Sequence, residues 1–368
     1  MTRAPCVIVC AGGGGVGKTT TSAAVALACA RAGRRTLLVT VDPARRLADA
    51  LGVPIGSTPS PVVVPGEGAF AGSLSALMPD PREALPRLIE LVFEPEQRAA
   101  VRANPLVKLL VDRLAGIHEL VCAALVADAV DKDVPDVVVI DTAPSRHAVE
   151  FVQHPGRLVE LLDGRAVAWL ARLAGGARED AKRGGRLAAW GQRGAEAALF
   201  ATFGTTFITA AGELFAALGA SRGRLAELAR RATELLLGPS SRYLIVAGPT
   251  RASGEDATYL IARLRALGFE SAALVVNRAH VPASPFLTSL RARRDLTAPL
   301  RAAVDVLAVE ASERSLAVRG RVSALREASP LAPIFELPDV LAQEPHAIVR
   351  ELADAVGSRL VPLLCAMA

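Results

Sequence analysis

The eight residues Gly12–Thr19, GGGGVGKT, constrain this sequence more than any other feature. They fit the pattern G-x-x-x-x-G-K-[ST], and they lie between the apolar run Cys6–Cys10 and the Ala-rich run Thr19–Arg31. This order predicts a buried strand, a glycine loop and a helix that ends at Gly33. In such a loop the backbone N–H groups turn inward, and the positive end of the following helix adds to their field. The segment therefore predicts a phosphate-binding loop.

The side chains of this loop indicate which phosphates it binds. Lys18 is expected to neutralise the β- and γ-phosphates of ATP, and the Thr19 hydroxyl is expected to bind Mg²⁺. The sequence has only three other lysines, Lys108, Lys132 and Lys182, so a chain that otherwise uses arginine has a lysine in the loop. A merely flexible glycine loop is the alternative, but the flanking strand and helix disfavour it. We expect a P-loop nucleotide hydrolase.

Two carboxylates follow predicted strands. Asp141 ends the buried run Asp136–Ile140, where it would face the ligand crevice of a parallel sheet and hold the Mg²⁺ shell, usually through water. Asp42 follows the run Thr36–Val41 and could orient the attacking water as a general base. Asp-Pro is also an ordinary turn signal, so from the residues alone both interpretations of Asp42 stay open.

The order of predicted elements indicates the fold class. Apolar strands alternate with helical tracts along the chain, which predicts an α/β fold with a doubly wound, mostly parallel sheet and right-handed crossovers. We expect one P-loop domain over residues 1–368, with a helical subdomain inserted from about 80–131 and 155–237. Further strands are predicted at Tyr243–Ala247, Ala272–Val276 and Ile334–Leu337.

Charge and hydropathy exclude several classes of protein. The formal charge of +5 is small for 368 residues, and no block of basic residues occurs, so we expect no nucleic-acid partner. The longest uncharged apolar stretch, Ala197–Gly212, is shorter than the roughly 20 residues that span a bilayer, so we expect no integral membrane segment. The chain begins almost at once with a strand rather than a signal peptide, and reduced cysteines are expected, so we expect a cytoplasmic protein.

Three segments together resemble one known family. These are Gly12–Thr21 (GGGGVGKTTT), Val41–Asp49 (VDPARRLAD) and Asp141–Pro155 (DTAPSRHAVEFVQHP), and Gly116–Glu119 (GIHE) is similar to a fourth family segment. In this order they resemble the ArsA-type ATPases, which include the arsenite-pump ATPase and the ATPase that delivers tail-anchored membrane proteins. The resemblance implies an ATPase that is dimeric when active.

The resemblance also implies roles for individual residues. Asp42 matches the water-activating residue of the family, so Asp42 and Lys18 are the expected catalytic residues. Asn277, after the strand that ends in Val276, matches an asparagine that contacts adenine, although a strand-capping asparagine is the alternative. The expected metal ligands are Thr19 and Asp141. The expected nucleotide-binding residues are Gly12, Gly13, Gly14, Gly15, Val16, Gly17, Lys18, Thr19, Thr20 and Asn277.

The sequence departs from the family at Gly13. Family members have a second lysine at this position, and it reaches the phosphates bound by the partner subunit of the dimer. We therefore expect slow hydrolysis by a homodimer, unless a lysine-bearing paralogue forms a heterodimer or an arginine supplies the charge. The candidate arginines are Arg45, Arg46 and Arg146. Arg146 follows Ser145 where the family usually has Thr-Gly, and a solvated loop arginine is the alternative interpretation.

The features that identify a client are weaker. The five cysteines form neither a CxxC zinc pair nor a clear three-thiol metalloid site, and three methionines cannot make a methionine-rich groove. One apolar helix is predicted to form either a groove for a partner helix or ordinary core. Its large apolar residues are Phe200, Phe203, Phe207, Ile208, Leu214 and Phe215.

Three functions stay open at this point. We favour an ATPase that switches its helical subdomain in order to handle or target hydrophobic protein segments, with a membrane protein or hydrophobic helix as client. The catalytic subunit of a metalloid efflux system is the second, and the cysteine pattern disfavours it. The third is a weakly hydrolysing regulatory nucleotide-binding subunit paired with a paralogue. Gly13 favours this third function, whereas Lys18, Asp42 and Asp141 speak against it.

Overall fold

A computed structural model describes residues 4–41, 46–79, 81–107, 117–142, 205–280 and 284–366. The chain divides into two compact units. The first consists of the described residues within Met1–Pro79, Ala129–Phe151 and Leu235–Ala368. The second consists of the described residues within Asp80–Asp128 and Val152–Glu234.

The strands of the first unit form one sheet with the order β3-β4-β2-β5-β1-β6-β7-β8. Neighbouring strands run parallel, except for the antiparallel pair β3–β4 at one edge. The strands are β1 Cys6–Gly12, β2 Arg35–Thr40, β3 Ser60–Pro61, β4 Ser73–Leu77, β5 Val137–Asp141, β6 Ser241–Ala247, β7 Ser271–His280 and β8 Ile334–Pro338.

The helices, numbered in chain order among the described residues, connect these strands or form the second unit. They are α1 Lys18–Arg31, α2 Arg46–Leu51, α3 Pro81–Val92, α4 Pro95–Ala103, α5 Ile117–Lys132, α6 Thr205–Ala220, α7 Arg222–Leu237, α8 Arg251–Ala266, α9 Ser284–Ala292, α10 Ala298–Ala328, α11 Pro345–Gly357 and α12 Leu360–Ala366. Within the described part of the chain, none combines the length and the apolar character that crossing a bilayer requires.

The central strands are buried on both faces. Every residue of β1 and β5 is buried, as their unbroken apolar runs predict. Helices α1, α11 and α12 pack on the face that carries Ile8 and Cys10, while α8 contacts β1 and β6. The Ala-rich α1 allows a close approach of α11, since a Cβ on Gly357 would lie 3.8 Å from the Ala28 Cβ. This architecture confirms the predicted α/β fold with a doubly wound, mostly parallel sheet.

The second unit has its own apolar core, built from α3, α4, α6 and α7. Leu214 of the apolar stretch that the sequence singled out is 4% exposed and belongs to this core, and Phe215 is half-buried. Phe200 and Phe203 lie outside the described residues, and only the backbone is described at Phe207 and Ile208. The buried core residues are Ile89, Val92, Phe93, Val101, Val107, Leu214 and Leu225.

Candidate nucleotide-binding site

The glycine loop joins β1 directly to α1. Gly15 and Gly17 have φ angles of 72° and 87°, in the left-handed region where glycine is free of steric cost. Gly17 is the N-cap of α1, and no side chain caps this end of the helix. The first turn also lacks an acidic residue. The N–H groups and the positive end of the 14-residue helix α1 are therefore left to an anion.

Two glycines of the loop leave no room for a side chain. A Cβ on Gly12 would lie 2.2 Å from the carbonyl oxygen of Val246 in β6. A Cβ on Gly17 would lie 2.2 Å from the Nδ2 atom of Asn277 in β7. By contrast, a Cβ on Gly14 or Gly15 would meet no atom within 4 Å. The loop is thus packed against the sheet at its ends and open in its middle, as a loop that wraps a ligand must be.

Lys18 lies inside the loop. Its side chain is 5% exposed, and Nζ donates a hydrogen bond of 2.7 Å to the carbonyl oxygen of Gly13. A buried ammonium requires compensation by acceptors or negative charge. This position suits Lys18 for neutralising phosphate charge inside the loop.

Asp141 is completely buried at the end of β5. Its Oδ1 accepts a hydrogen bond from the Ser22 hydroxyl at 3.4 Å, and its Oδ2 accepts one from the Thr40 hydroxyl at 3.1 Å. Burial raises the pKa of the neighbouring Cys10 thiol to about 12, so that thiol stays neutral near Asp141. The two hydroxyls fix the direction of the carboxylate, as is typical of carboxylates that orient a metal site.

A cleft of about 390 Å³ opens beside the loop. This volume lies within the range of ligand pockets in proteins. Its lining includes the loop and the start of α1, and also side chains from four other elements or their ends. These residues are Gly15, Gly17, Lys18, Thr19, Thr20, Arg46, Asp49, Ala50, Thr142, Arg278 and Pro345.

Asn277 contacts the loop rather than projecting into the cleft. Its Nδ2 donates to the carbonyl oxygen of Val16 at 2.9 Å, and its Oδ1 accepts from the backbone N–H of Arg278 at 3.0 Å. The side chain is 4% exposed. Sequence reasoning predicted an adenine contact here and missed this bond to the loop; the adenine contact stays a prediction.

An acidic side chain faces Gly13, the position at which the family has its second lysine. A Cβ on Gly13 would lie 2.6 Å from Oδ2 of Asp256, on α8. Gly13 therefore has a carboxylate as its immediate neighbour. This neighbour could not be expected from the sequence, because Asp256 is 243 positions away.

Several predicted site residues lie outside the described part of the chain. They are Asp42, Arg45, Ser145 and Arg146. Arg46 is described and lines the cleft. The structure also places at the site four residues that were not predicted. Two of them directly follow the predicted Asp141 and Asn277, and only this adjacency could have signalled them. These four are Ser22, Thr40, Thr142 and Arg278.

The site fits a nucleoside triphosphate with Mg²⁺. An uncapped helix end and a buried ammonium suit phosphate oxygens. A half-buried hydroxyl at Thr19 and a carboxylate at Asp141 are the hard oxygen donors that Mg²⁺ prefers.

The comparison with known families agrees with this site. Residues 6–172 match the family model described as Anion-transporting ATPase, of the ArsA type. The match includes the glycine loop and Asp141. Residues 6–172 are therefore similar to the ArsA-type ATPases. The resemblance found in the sequence motifs is thereby confirmed.

Individual relatives carry two kinds of name. The chain is 36% identical to "ATPase GET3" of Malassezia globosa over 155 residues. The aligned segment is 42% of this chain and 44% of the relative. It is 34% identical to the "Arsenical pump-driving ATPase" of Acidiphilium multivorum over 152 residues. That aligned segment is 39% of this chain and 24% of the relative. The matched segment spans less than half of each of these relatives. Both names describe ATPases.

Proposed function

We propose that this chain binds ATP with Mg²⁺ at Gly12–Thr20 and hydrolyses it to ADP and phosphate. The observation that carries the proposal is the buried Lys18 at the uncapped start of α1, next to the strand that ends in the buried Asp141. The match of residues 6–172 to the family model of the ArsA-type ATPases supports the same reaction.

The residues of the site have different parts in this proposal. Lys18 and the N–H groups of the loop bind the β- and γ-phosphates, which withdraws charge from the bond that breaks. Thr19 and Asp141 would hold Mg²⁺, which would supply positive charge to stabilise the transferred phosphoryl group. Asp42 orients the attacking water and accepts its proton. Asn277 keeps the loop in shape through Val16 and contacts adenine.

We propose that hydrolysis switches the helical unit between two conformations, since loops that sense a γ-phosphate commonly order and release a neighbouring segment. The work done is the handling of a hydrophobic protein segment, by a dimer in the cytoplasm. This follows from the resemblance to the ATPase that delivers tail-anchored proteins. The five cysteines, all of them free thiols, agree with a reducing compartment.

The metalloid alternative has less support. Relatives named as arsenical pump-driving ATPases favour it. However, among the described residues no group of three or more His, Cys, Asp or Glu could hold a metal ion. A soft-ligand site for a metalloid needs several thiolates together. Cys6, Cys29 and Cys365 are close enough to hydrogen-bond, but these bonds and burial raise the pKa of Cys6 and Cys29, so those two thiols stay protonated.

A regulatory subunit is the second candidate function, because of Gly13 and Asp256. In a dimer, the charge that a second lysine supplies to the transferring phosphoryl is worth several orders of magnitude in rate. Here the position has no side chain and a carboxylate beside it. A partner that bears the lysine would restore the rate in a heterodimer.

Single-turnover hydrolysis of radiolabelled ATP by the full chain tests the proposed reaction. We expect the wild-type chain to release phosphate, Asp42→Asn to bind ATP but lose hydrolysis, and the exposed Asp133→Asn to behave as wild type. Equal turnover in Asp42→Asn and wild type would show that Asp42 is only a turn residue without a catalytic role. If wild type in excess over ATP binds the nucleotide but releases no phosphate, the proposed hydrolysis is wrong and the regulatory function is supported instead.

A further inference from the structure

The strand order gives the nucleotide site two distinct sides. Strand β5, which ends in Asp141, pairs with one edge of β1, and β6 pairs with the other edge, followed by β7. The cation-holding carboxylate thus lies on the β5 side of the loop. The γ-phosphate end of a bound nucleotide must face that side, so its nucleoside end must extend towards β6 and β7.

Arg278 lies on this second side, near the end of β7, in a backbone conformation that is rare for arginine. Its φ angle is 56°, and it has the only positive φ among the described residues other than glycine. The pairing of β7 with β8 is interrupted between Val276 and His280. A left-handed arginine at a strand irregularity is strained, and such strain persists only where surrounding contacts maintain it.

Hydrogen bonds hold the Arg278 backbone on both sides. Its N–H donates to Oδ1 of Asn277 at 3.0 Å, and Asn277 is itself bonded to the loop. Its carbonyl oxygen accepts from Nη2 of Arg314 at 3.2 Å, and Arg314 pairs with Asp339 at 2.7 Å. The conformation of Arg278 is thereby coupled to the loop and to helix α10.

The Arg278 side chain is exposed and lines the cleft together with Thr20 and Pro345. Both hydrogen bonds of this residue use backbone atoms, and the structure gives its guanidinium no acceptor among the described residues. The strained backbone therefore presents to the cleft a planar cation that no acceptor in the described part of the chain binds.

We infer that the guanidinium of Arg278 packs flat against the purine ring of the bound nucleotide. The inference rests on the proposed function, since it assigns a further binding residue to that same site. Position decides between base and phosphate, because the phosphates are bound at Lys18 and directed towards Asp141, on the opposite side of the loop. A planar guanidinium stacks on an aromatic face, which a lysine ammonium cannot do.

Calorimetry with two probes separates a base contact from a phosphate contact. The probes are ATP and inorganic tripolyphosphate, both with Mg²⁺ and with the full chain. Tripolyphosphate offers the loop three phosphates but no ring. We expect Arg278→Ala to lower the ATP affinity by about 2-fold to 30-fold, which corresponds to about 0.5–2 kcal/mol of binding free energy. The affinity for tripolyphosphate should be unchanged.

Three further variants sharpen this test. Arg278→Lys keeps the charge and should recover less than half of the lost binding free energy. Arg278→Gly adopts the φ of 56° without strain, so it folds even if Arg278→Ala does not, and it should show the same selective loss. The matched control Arg265→Ala removes an exposed arginine paired with Glu270 at 3.2 Å and should bind both probes as wild type.

Two results would overturn the inference. An equal loss for ATP and tripolyphosphate would make Arg278 a phosphate contact, and an unchanged ATP affinity would remove it from the site. Wild-type protein that binds neither probe would instead overturn the proposed function, and the inference with it. Since the inference predicts a ratio of two affinities, its failure is distinguishable from a loss of binding altogether.

Discussion

The side chain of Asn277 is hydrogen-bonded to Val16, with 2.9 Å between Nδ2 and the carbonyl oxygen, although 261 positions separate them. The bond joins β7 to the middle of the glycine loop, and the Asn277 amide also occupies the space that a Cβ on Gly17 would need. The loop conformation thus depends on a strand that is not its neighbour in the sheet. Removing one partner of such a buried bond destabilises the protein by more than the bond's net contribution to stability, because the Val16 carbonyl is left unpaired.

Asn277→Ala should therefore destabilise the chain by about 1–3 kcal/mol. It should also weaken ATP binding, because the loop loses a contact that holds its shape. Urea unfolding and ATP calorimetry measure the two effects, with Asn104→Ala in the helical unit as control. Asn104 makes a comparable buried bond to Ala210, so its loss should reduce stability but not ATP affinity. Unchanged ATP affinity in Asn277→Ala would show that Asn277 does not hold the loop in its binding shape.

Thr40→Val should impair the response to Mg²⁺. The variant keeps the size of the side chain but removes the donor to Oδ2 of Asp141, so the buried carboxylate loses one of the groups that orient it. We expect a several-fold higher Mg²⁺ concentration for half-maximal hydrolysis, with little change in ATP binding without metal. Thr36→Val, which removes only a bond to the Arg34 carbonyl, is the matched control. Identical Mg²⁺ titrations in both variants would reject the role.

The neighbourhood of Gly13 makes a specific prediction about the missing lysine. In Gly13→Lys the new side chain begins 2.6 Å from the Asp256 carboxylate, so its ammonium can pair there instead of crossing to a partner subunit. Gly13→Lys with Asp256→Ala should hydrolyse ATP faster than wild type, and faster than Gly13→Lys alone. Single-turnover rates at saturating ATP measure this, with Asp256→Ala as control. Equal rates in all four proteins would show that charge at this position is irrelevant.

The thiol of Cys365 should react with alkylating reagents before the other four. Cys365 is half-buried, and hydrogen bonds from Cys29 and Cys6 hold its pKa well below the ordinary value. The same hydrogen bonds, together with burial, raise the pKa values of Cys6 and Cys29. A lowered pKa keeps the reactive thiolate populated as the pH falls from 8 to 6, whereas an ordinary thiol loses about tenfold in rate per pH unit.

Peptide mass spectrometry after a brief iodoacetamide pulse at several pH values follows each cysteine. We expect a nearly flat rate for Cys365 and slow labelling elsewhere. Cys365→Ser, the control, should remove the fast phase. A rate at Cys365 that falls tenfold per unit would contradict the lowered pKa.

The sequence predicted those parts of the fold that rest on local patterns. The unbroken apolar runs around Ile8 and Val139 indicated buried strands, and the glycine loop with Lys18 is a contiguous motif. The 31-residue helix α10, Ala298–Ala328, was not predicted, because several of its apolar residues are exposed and give no single apolar stripe. The short strand β4, Ser73–Leu77, has too few residues to show a period.

The contacts around the site could not be predicted for a different reason. Asp256 reaches Gly13, and Asn277 reaches Val16, only because the sheet places β6 next to β1 and β7 next to β6. A pattern along the chain carries no information on which of several strand orders forms. The left-handed conformation of Arg278 was likewise invisible, since sequence rules reserve that region for glycine and asparagine.

Calorimetric titration of ATP with Mg²⁺ into the full chain tests whether Gly12–Thr19 binds the phosphates of ATP. Lys18→Ala should abolish binding, because it removes the one buried ammonium that the described part of the loop offers to the phosphates. Lys132→Ala, which removes an exposed lysine of α5, should bind as wild type. Equal ATP affinity in wild type and Lys18→Ala would show that this loop does not bind the phosphates.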